Sequence, residues 1–483
     1  MNRNAVLTAV GMAALLTGCT VGPKYSKPDV PTAPVYSEQP PARFKEGDGW
    51  QAAHPKDAQL RGKWWELFGD PQLNALEEQV ALANPTLQVA EANFRQARAA
   101  IQINRAALYP VVTTNPSISY NRLSTNNPTR LSGTGFQYGN FALPITASWD
   151  VDFWGRIRRT IANAKEQFQA SAADLENTKL QLQSDLAVDY FEAHSLDAEK
   201  QLLDDTVVAY ERALELTKNR YEGGVASKAE VAQAQTQLKQ TQAQDIDVNV
   251  ARAQYEHAIA VLLGKVPEEF KLAIKPLEQE PPKIPTGVPS QLLERRPDIA
   301  AAERQMAAAN EQIGIAKAAF WPDLLITATG GLQSGSIVDW FAWPSRFWSV
   351  GPSVTQVIFD AGRRRAQVQS AVAAYDATVA NYRQTALTAF REVEDNLSTM
   401  RILEEESAMQ QEATSAAENS LELSMNRYKG GLVTYLDVIT AQSIALTNER
   451  TDVDILRRRM DASVLLIKAL GGGWNVSKLP QTS

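Results

Sequence analysis

Few residues in this chain are of a type and spacing to do chemistry. Cys19 is the only cysteine among 483 residues. His54, His194 and His257 are scattered, with no metal-ligand spacing and no cysteine beside them. The glycine-rich run from Gly133 to Gly139 precedes a strand pattern, so it reads as a solvated loop and not a nucleotide fingerprint. The carboxylates are more telling. Glu230 and Asp437 each open a helical stretch shortly after a double glycine, Gly223-Gly224 and Gly430-Gly431. A carboxylate there favours the helix start through the macrodipole. Copies of one around an axis would also form a ring that attracts cations in a narrow pore. Nothing here makes a catalytic constellation, so no enzyme, metal site or cofactor is expected.

The two glycine turns are one motif written twice. Asn219-Arg220-Tyr221-Glu222-Gly223-Gly224-Val225 returns as Asn426-Arg427-Tyr428-Lys429-Gly430-Gly431-Leu432, 207 residues on. Leu263-Gly264 returns as Leu470-Gly471 at the same shift. Asn84-Pro85 and Tyr109-Pro110 return as Arg296-Pro297 and Trp321-Pro322 at a shift of 212. A duplicated unit predicts a function that belongs to the architecture both halves build.

Each half places a strand pair between helices. From Leu143 to Phe153 the chain alternates strictly: Leu143, Ile145, Ala147, Trp149, Val151 and Phe153 share one face, and Thr146, Ser148, Asp150 and Asp152 the other. Val112 to Leu123 alternates more weakly, with a polar loop from Ser124 to Gly135 between the two. Leu324, Ile326 and Ala328, then Trp348, Val350 and Val354, form the second pair. A long helix follows each hairpin. Arg156 to Arg220 contains no Pro and no Gly, enough for about 100 Å of helix. Ile161, Phe168, Leu175, Leu182, Leu196, Leu203 and Tyr210 share a heptad phase broken only at Asp189. Val368, Val372, Tyr375, Val379, Tyr382 and Ala386 repeat the seam. Glycine ends each long helix in the left-handed conformation, and a shorter helix returns.

Four strands cannot close a barrel, and an open edge cannot stand in hydrocarbon. If the hairpins cross a membrane, several copies must share one barrel: two copies fill the lumen, three leave a water path. The hydrophilic face suits a wet lumen, and Trp149 and Phe153 suit an aromatic girdle. A soluble two-layer sheet is the alternative, but little apolar sequence remains to cover it.

The ends and the charge bound the setting. Ala5 to Leu16 is apolar, too short to span a bilayer, and runs into Leu16-Thr17-Gly18-Cys19. This resembles a bacterial lipoprotein signal, cleaved before Cys19, which would carry the covalent lipid. Thr20, in place of an Asp, favours outer-membrane sorting. The net charge of −7 argues against a nucleic-acid partner.

Longer stretches carry a family resemblance over nearly the whole chain beyond Gly18. They are Gly18 to Tyr25, Trp64-Trp65-Glu66-Leu67-Phe68-Gly69-Asp70-Pro71-Gln72-Leu73, Asp150 to Arg156, and Leu293-Glu294-Arg295-Arg296-Pro297-Asp298 on to Arg304. The chain resembles the TolC-like outer-membrane efflux proteins, in their lipoprotein branch. The resemblance implies a mainly α fold with a β-barrel. Four strands per protomer of a homotrimer would share a twelve-stranded membrane barrel above a tunnel of long coiled-coil helices. A mixed equatorial domain would come from Trp50 to Asp70, Lys265 to Pro289 and the tail after Gly471. The function implied is a passive exit duct for small toxic compounds such as drugs. Its partners would be a periplasmic adaptor and an inner-membrane pump, most often of the proton-driven resistance-nodulation-division type.

The same resemblance assigns the gate. Asp437 matches the family's acidic ring; the position one turn deeper, Asp in many members, is Thr440. Tyr428 is expected to reach Glu230 and latch the tip hairpins. A second, arginine-based latch falls on Val433, opposite Ala229, so fewer latches are expected. The expected division is a signal peptide at 1–18, an extended lipid-anchored segment at 19–62, repeats at 63–264 and 291–472, a linker at 265–290 and a tail at 473–483. Other readings are a TolC-like duct for metal export or type I protein secretion, and a lipid-anchored periplasmic coiled-coil adaptor. An adaptor has one helical hairpin and separate β domains, which is not the pattern here.

Overall fold

A computed structural model describes residues 21–30, 32–38, 62–122, 124, 137–284 and 289–481. The signal segment 1–18, Cys19, His54 and most of the 124–135 loop lie outside the described residues. Helices α1 (Pro71–Ala83) and α2 (Pro85–Ala106) lead into strands β1 (Val111–Thr114), β2 (Ser117–Arg122) and β3 (Gln137–Asp150). Helices α3 (Arg156–Glu222) and α4 (Lys228–Leu262) complete the first half. The second half runs α5 (Pro297–Ala318), β4 (Asp323–Ser334), β5 (Arg346–Thr355), α6 (Arg363–Lys429) and α7 (Tyr435–Ala469). The duplication is kept to the residue: α2 and α5 have 22 residues each, α3 and α6 have 67, α4 and α7 have 35.

Local chemistry sets the helix ends. Asp70 caps α1, its Oδ1 accepting from Gln72 N and Leu73 N ahead of Pro71. Asn84 sits extended before Pro85, ends α1 and caps α2. Its amide also donates to Leu262 O at 2.8 Å, where α4 ends. In the second half Arg296 Nη1 donates to Ala469 O at 3.1 Å, where α7 ends. Each return helix thus runs end-on into the proline-led helix of its own half, C-terminus to N-terminus, with dipoles aligned. Gly264 and Gly471 permit the joint. Both are left-handed, and a Cβ would fall 2.5 Å from Ala83 O and 2.2 Å from Arg295 O.

The sheet is antiparallel. β1 and β2 both pair with β3, β3 with β4, and β4 with β5. β1 and β2 are one strand interrupted at Asn115-Pro116, so four passages stand as expected. Register confirms the two faces. Ala147 stands opposite Val112 and Ala328, and Ala328 opposite Val350, a row of apolar side chains. Thr146 stands opposite Thr113 and Thr329, and Thr329 opposite Ser349, a hydrophilic row. One expectation is corrected. β3 ends at Asp150, because Asp152 turns back to cap α3, accepting from Ile157 N and Arg158 N, so Phe153 lies in the bend beyond the strand. Among the described residues both outer edges are unpaired, β1/β2 on one side and β5 on the other. No described helix is long and apolar enough to cross a membrane.

The main core lies partway down the helices. It gathers Trp64, Trp65, Phe68, Leu73, Leu186, Phe191, Leu397, Met460 and Leu466. Each such fully buried side chain contributes roughly 1.5–3 kcal/mol. The stretch after Lys265, expected as a linker, is bound along the helices. Leu277 N donates to His194 O at 3.0 Å, Arg252 Nη2 to Leu272 O at 2.8 Å, and Leu272, Leu277 and Ile284 are buried. His194 itself is buried, its Nδ1 3.1 Å from Asp197. The extended N-terminal segment is a strap. Val21 N bonds Trp154 O at the strand–helix junction, Lys27 pairs with Glu303 on α5 at 2.8 Å, and Glu394 on α6 accepts Ser37 N and Glu38 N.

One core residue is at odds with its setting. Glu77 occupies the apolar stripe of α1 with Leu73, Leu76 and Val80, fully buried, and neither carboxylate oxygen has a hydrogen-bond partner. Burial pushes its carboxyl well above the usual carboxylate range. The unfolded chain releases that proton first as pH rises, so the stability cost grows from about pH 5 upward. Glu77→Leu is expected to raise stability by about 1–3 kcal/mol at neutral pH. The gain should shrink on acidification, as read by circular-dichroism melts across pH.

Candidate functional site at the hairpin tips

The far ends of the long helices meet in a small core of their own. α3 stops at Glu222 and α6 at Lys429. The first glycine of each pair stays helical, Gly223 at φ −76° and Gly430 at −75°; only Gly224 and Gly431 are left-handed, at +74° and +75°. Val225 N and Leu432 N then close back on Arg220 O and Arg427 O at 2.8 and 3.0 Å. Both return helices open with a capping box, Ser227 with Glu230 and Thr434 with Asp437. Between the hairpins Tyr210, Leu214 and Leu238 pack with Tyr428, Tyr435 and Val438. The copies are unequal: Lys228 is exposed, whereas its counterpart Tyr435 is buried.

The first hairpin grips the second at both of its helix ends. Arg220 Nη1 donates to Lys429 O at 3.1 Å, the C-terminal carbonyl end of α6, and its guanidinium lies 4.6 Å from the Tyr428 ring centre. Glu230 Oε1 accepts Tyr435 N at 3.2 Å, the N-terminal end of α7, while Oε2 holds Ser227 N at 2.7 Å. A cation thus sits on the negative end of one helix and an anion on the positive end of the other. Partial burial pushes the Glu230 carboxyl up, but the backbone donors Ser227 and Tyr435 outweigh it and hold it below its ordinary value.

The expected link from Tyr428 to Glu230 does not form within the chain. Tyr428 is buried against Tyr435, ring centres 5.3 Å apart, and its hydroxyl points at Thr217 Oγ1, 3.4 Å away. Position 433 is valine, and the arginine that bridges the two tips is Arg220, from the other hairpin. The repeat contained that residue, but only the turn geometry distinguishes Arg220 from the exposed Arg427. Asp437 and Thr440 stand exposed one turn apart on α7; Asp437 Oδ2 accepts Thr434 N at 3.1 Å and Thr440 Oγ1 donates to Leu436 O.

Two further places stand out in the described residues. α3, α4 and α7 line a cavity of about 820 Å³ that includes Asp185, Asp189, His257 and Asp461. It lies on the side of α4 away from Arg252 and Glu256, which hold the 267–277 segment. Asp189, the break in the α3 seam, therefore lines that cavity, half-buried. Burial, then Asp185 and Glu192, push its carboxyl up to about 6. At the helix end of the sheet, Trp149 Nε1 donates to Leu108 O, and Phe153 packs on Trp154, which stacks on Trp321 at 4.5 Å.

Removing the Arg220 grip forfeits a carbonyl bond and a cation–π contact, about 1–2 kcal/mol, or roughly 5–30-fold in the balance between packed and parted tips. Single-channel recordings should show Arg220→Ala and Glu230→Gln opening more often. Tyr428→Phe should stay close to the parent, since its ring and not its hydroxyl does the packing.

The family model described as outer membrane efflux protein matches residues 76–265 and 288–472, both halves of the duplication. The toluene efflux pump outer membrane protein TtgC of Pseudomonas putida is 31% identical over 476 residues, covering 97% of this chain and 96% of the relative. Among solved structures, the outer-membrane channel OprN superposes with a TM-score of 0.83 at 28% identity, covering 94% of this chain and 100% of that one. CusC superposes at 0.82 with 25% identity, covering 94% and 100%. The fold is that of the TolC-like channels, and the chain belongs to the outer membrane efflux protein family.

Proposed function

We propose that this chain is one protomer of a homotrimeric outer-membrane exit duct for small toxic compounds. A periplasmic adaptor and a proton-driven inner-membrane pump of the resistance-nodulation-division type would supply the cargo. The observation that carries the reading is the sheet: one apolar face, one hydrophilic face and two unpaired edges, mounted on helices of 67 residues. Three such sheets close into a barrel of about twelve strands, which satisfies every edge in lipid and leaves a water path. The helices reach about 100 Å below it. Export of drugs or organic solvents is supported by relatives such as the toluene pump component. A duct offers passage and no chemistry, which suits a site built of latches and carboxylates.

The lipid anchor also has geometric support. Val21 is bonded to Trp154 O where sheet meets helix, and Cys19 is two residues away, about 7 Å of chain. An acyl chain on Cys19 would enter the membrane at the inner rim of the barrel, beside Trp149 and Phe153 as the lower girdle. In the closed trimer, Asp437 would form the narrowest ring, with Thr440 above it.

Deleting the gene should lower tolerance to organic solvents and amphiphilic drugs several-fold, and the intact gene should restore it; unchanged tolerance to every compound tried would sink the reading. Asp437→Asn should lower the cation-over-anion permeability ratio in planar bilayers without changing trimer yield. Cys19→Ala should abolish palmitate labelling while trimers still form, because strand pairing and not the lipid closes the barrel.

A further inference from the structure

The turn between β4 and β5 exposes more apolar surface than its length warrants. Residues 335–345 read Gly-Ser-Ile-Val-Asp-Trp-Phe-Ala-Trp-Pro-Ser. The backbone is tied to itself. Ser336 N donates to Ser334 Oγ at 3.1 Å, Ala342 N to Asp339 O at 3.0 Å, Ser345 N to Ala342 O at 3.0 Å, and Arg346 Nε to Trp343 O at 2.9 Å. With these backbone bonds made, Ile337, Val338, Phe341 and Trp343 are left between 61% and 86% exposed, with Asp339 exposed among them.

Trp340 shows which way the turn leans. Its ring lies 5.7 Å from that of Phe141, which lies 5.8 Å from that of Tyr120. Phe141 stands opposite Ile118 and Ser334, two residues before Leu143 and on the same face as Ile145 and Trp149. Gly335 O lies over that face too, 2.8 Å from where a Cβ on Gly139 would stand. The turn folds over the apolar face and away from the hydrophilic one, at the sheet end opposite the helices.

We propose that this turn is a membrane anchor lying in the outer leaflet of the outer membrane. Phe341 and Trp343 sit at the boundary between headgroups and acyl chains, and Arg346, stacked on Trp343, faces the headgroup phosphates. The inference rests on the reading of the sheet as a lipid-facing barrel wall. Continuity carries it: the ring cluster Tyr120, Phe141, Trp340 carries the wall's apolar face into the turn through direct ring contacts. Aromatic side chains favour that depth, and a guanidinium suits phosphate there. The consequence for transport is that this turn does not cover the channel mouth.

The test uses full-length trimers carrying Phe341→Cys, Trp343→Cys, Ile145→Cys or Ser349→Cys, one at a time. Each is labelled with bimane and reconstituted into vesicles containing brominated phospholipid; the unsubstituted chain supplies the blank for Cys19. Labels at 341 and 343 should sit about 5–10 Å below the phosphates, with lipid quenching within about two-fold of that at 145. The label at 349, on the hydrophilic face, should respond only to aqueous iodide. Iodide reaching 341 and 343 as freely as 349 would overturn the proposal, as would both quenchers failing there, which means burial against a neighbouring copy. If the label at 145 escapes the lipid quencher, the barrel-wall reading itself has failed. Val338→Cys supplies a second probe of the turn should Trp343→Cys not assemble.

Discussion

Everything in this structure answers to one constraint: a strand edge in hydrocarbon has no water to bond to. The described residues bring four strand passages and leave two edges open. No rearrangement within a single copy removes them. Closure with other copies fixes the rest. It makes the hydrophilic row of Thr113, Thr146, Thr329 and Ser349 a lumen wall, and the row of Val112, Ala147, Ala328 and Val350 a lipid wall. It also gathers the long helices into a ring, so their tips can only meet at the axis.

For the proposed duct to open, the tip has to be held by contacts that can break. A core of tyrosines alone would stay shut, and exposed ion pairs alone would contribute little. Here the two means are combined. Tyr428 and Tyr435 supply apolar contact, while Arg220 and Glu230 bind the backbone ends of the facing hairpin. Because the grip is to backbone groups at helix termini, it depends on the turns keeping their shape. That makes Gly224 and Gly431 supports of the contact between the hairpins, although neither touches the opposing hairpin through a side chain.

The architecture is legible in the sequence because periodicity and punctuation are local. Alternation from Leu143 to Trp149, the Pro- and Gly-free run from Arg156, and the paired glycines each predict one element through short-range physics. The repeat predicts equal halves, and helix lengths of 22, 67 and 35 residues in both bear it out. The latch is not legible in the same way. Which residue meets Glu230 depends on how two hairpins are rotated about each other, and nothing local records that angle. Phe153 falls outside its expected strand for a related reason: Asp152 continues the strand alternation, yet its carboxylate is committed to the first turn of the next helix.

The strap also bears on the order of assembly. Ser37 and Glu38 bind Glu394, and Glu38 binds Arg401, across 356 to 363 residues of sequence. The amino end is made first, yet its binding groove lies on helices made almost last. Loop closure over such a distance is slow, and it can begin only once the second half is helical. The strap's Ser37–Glu38 end is thus a late fastening, set once α6 has formed, while its Val21 end binds within the first half.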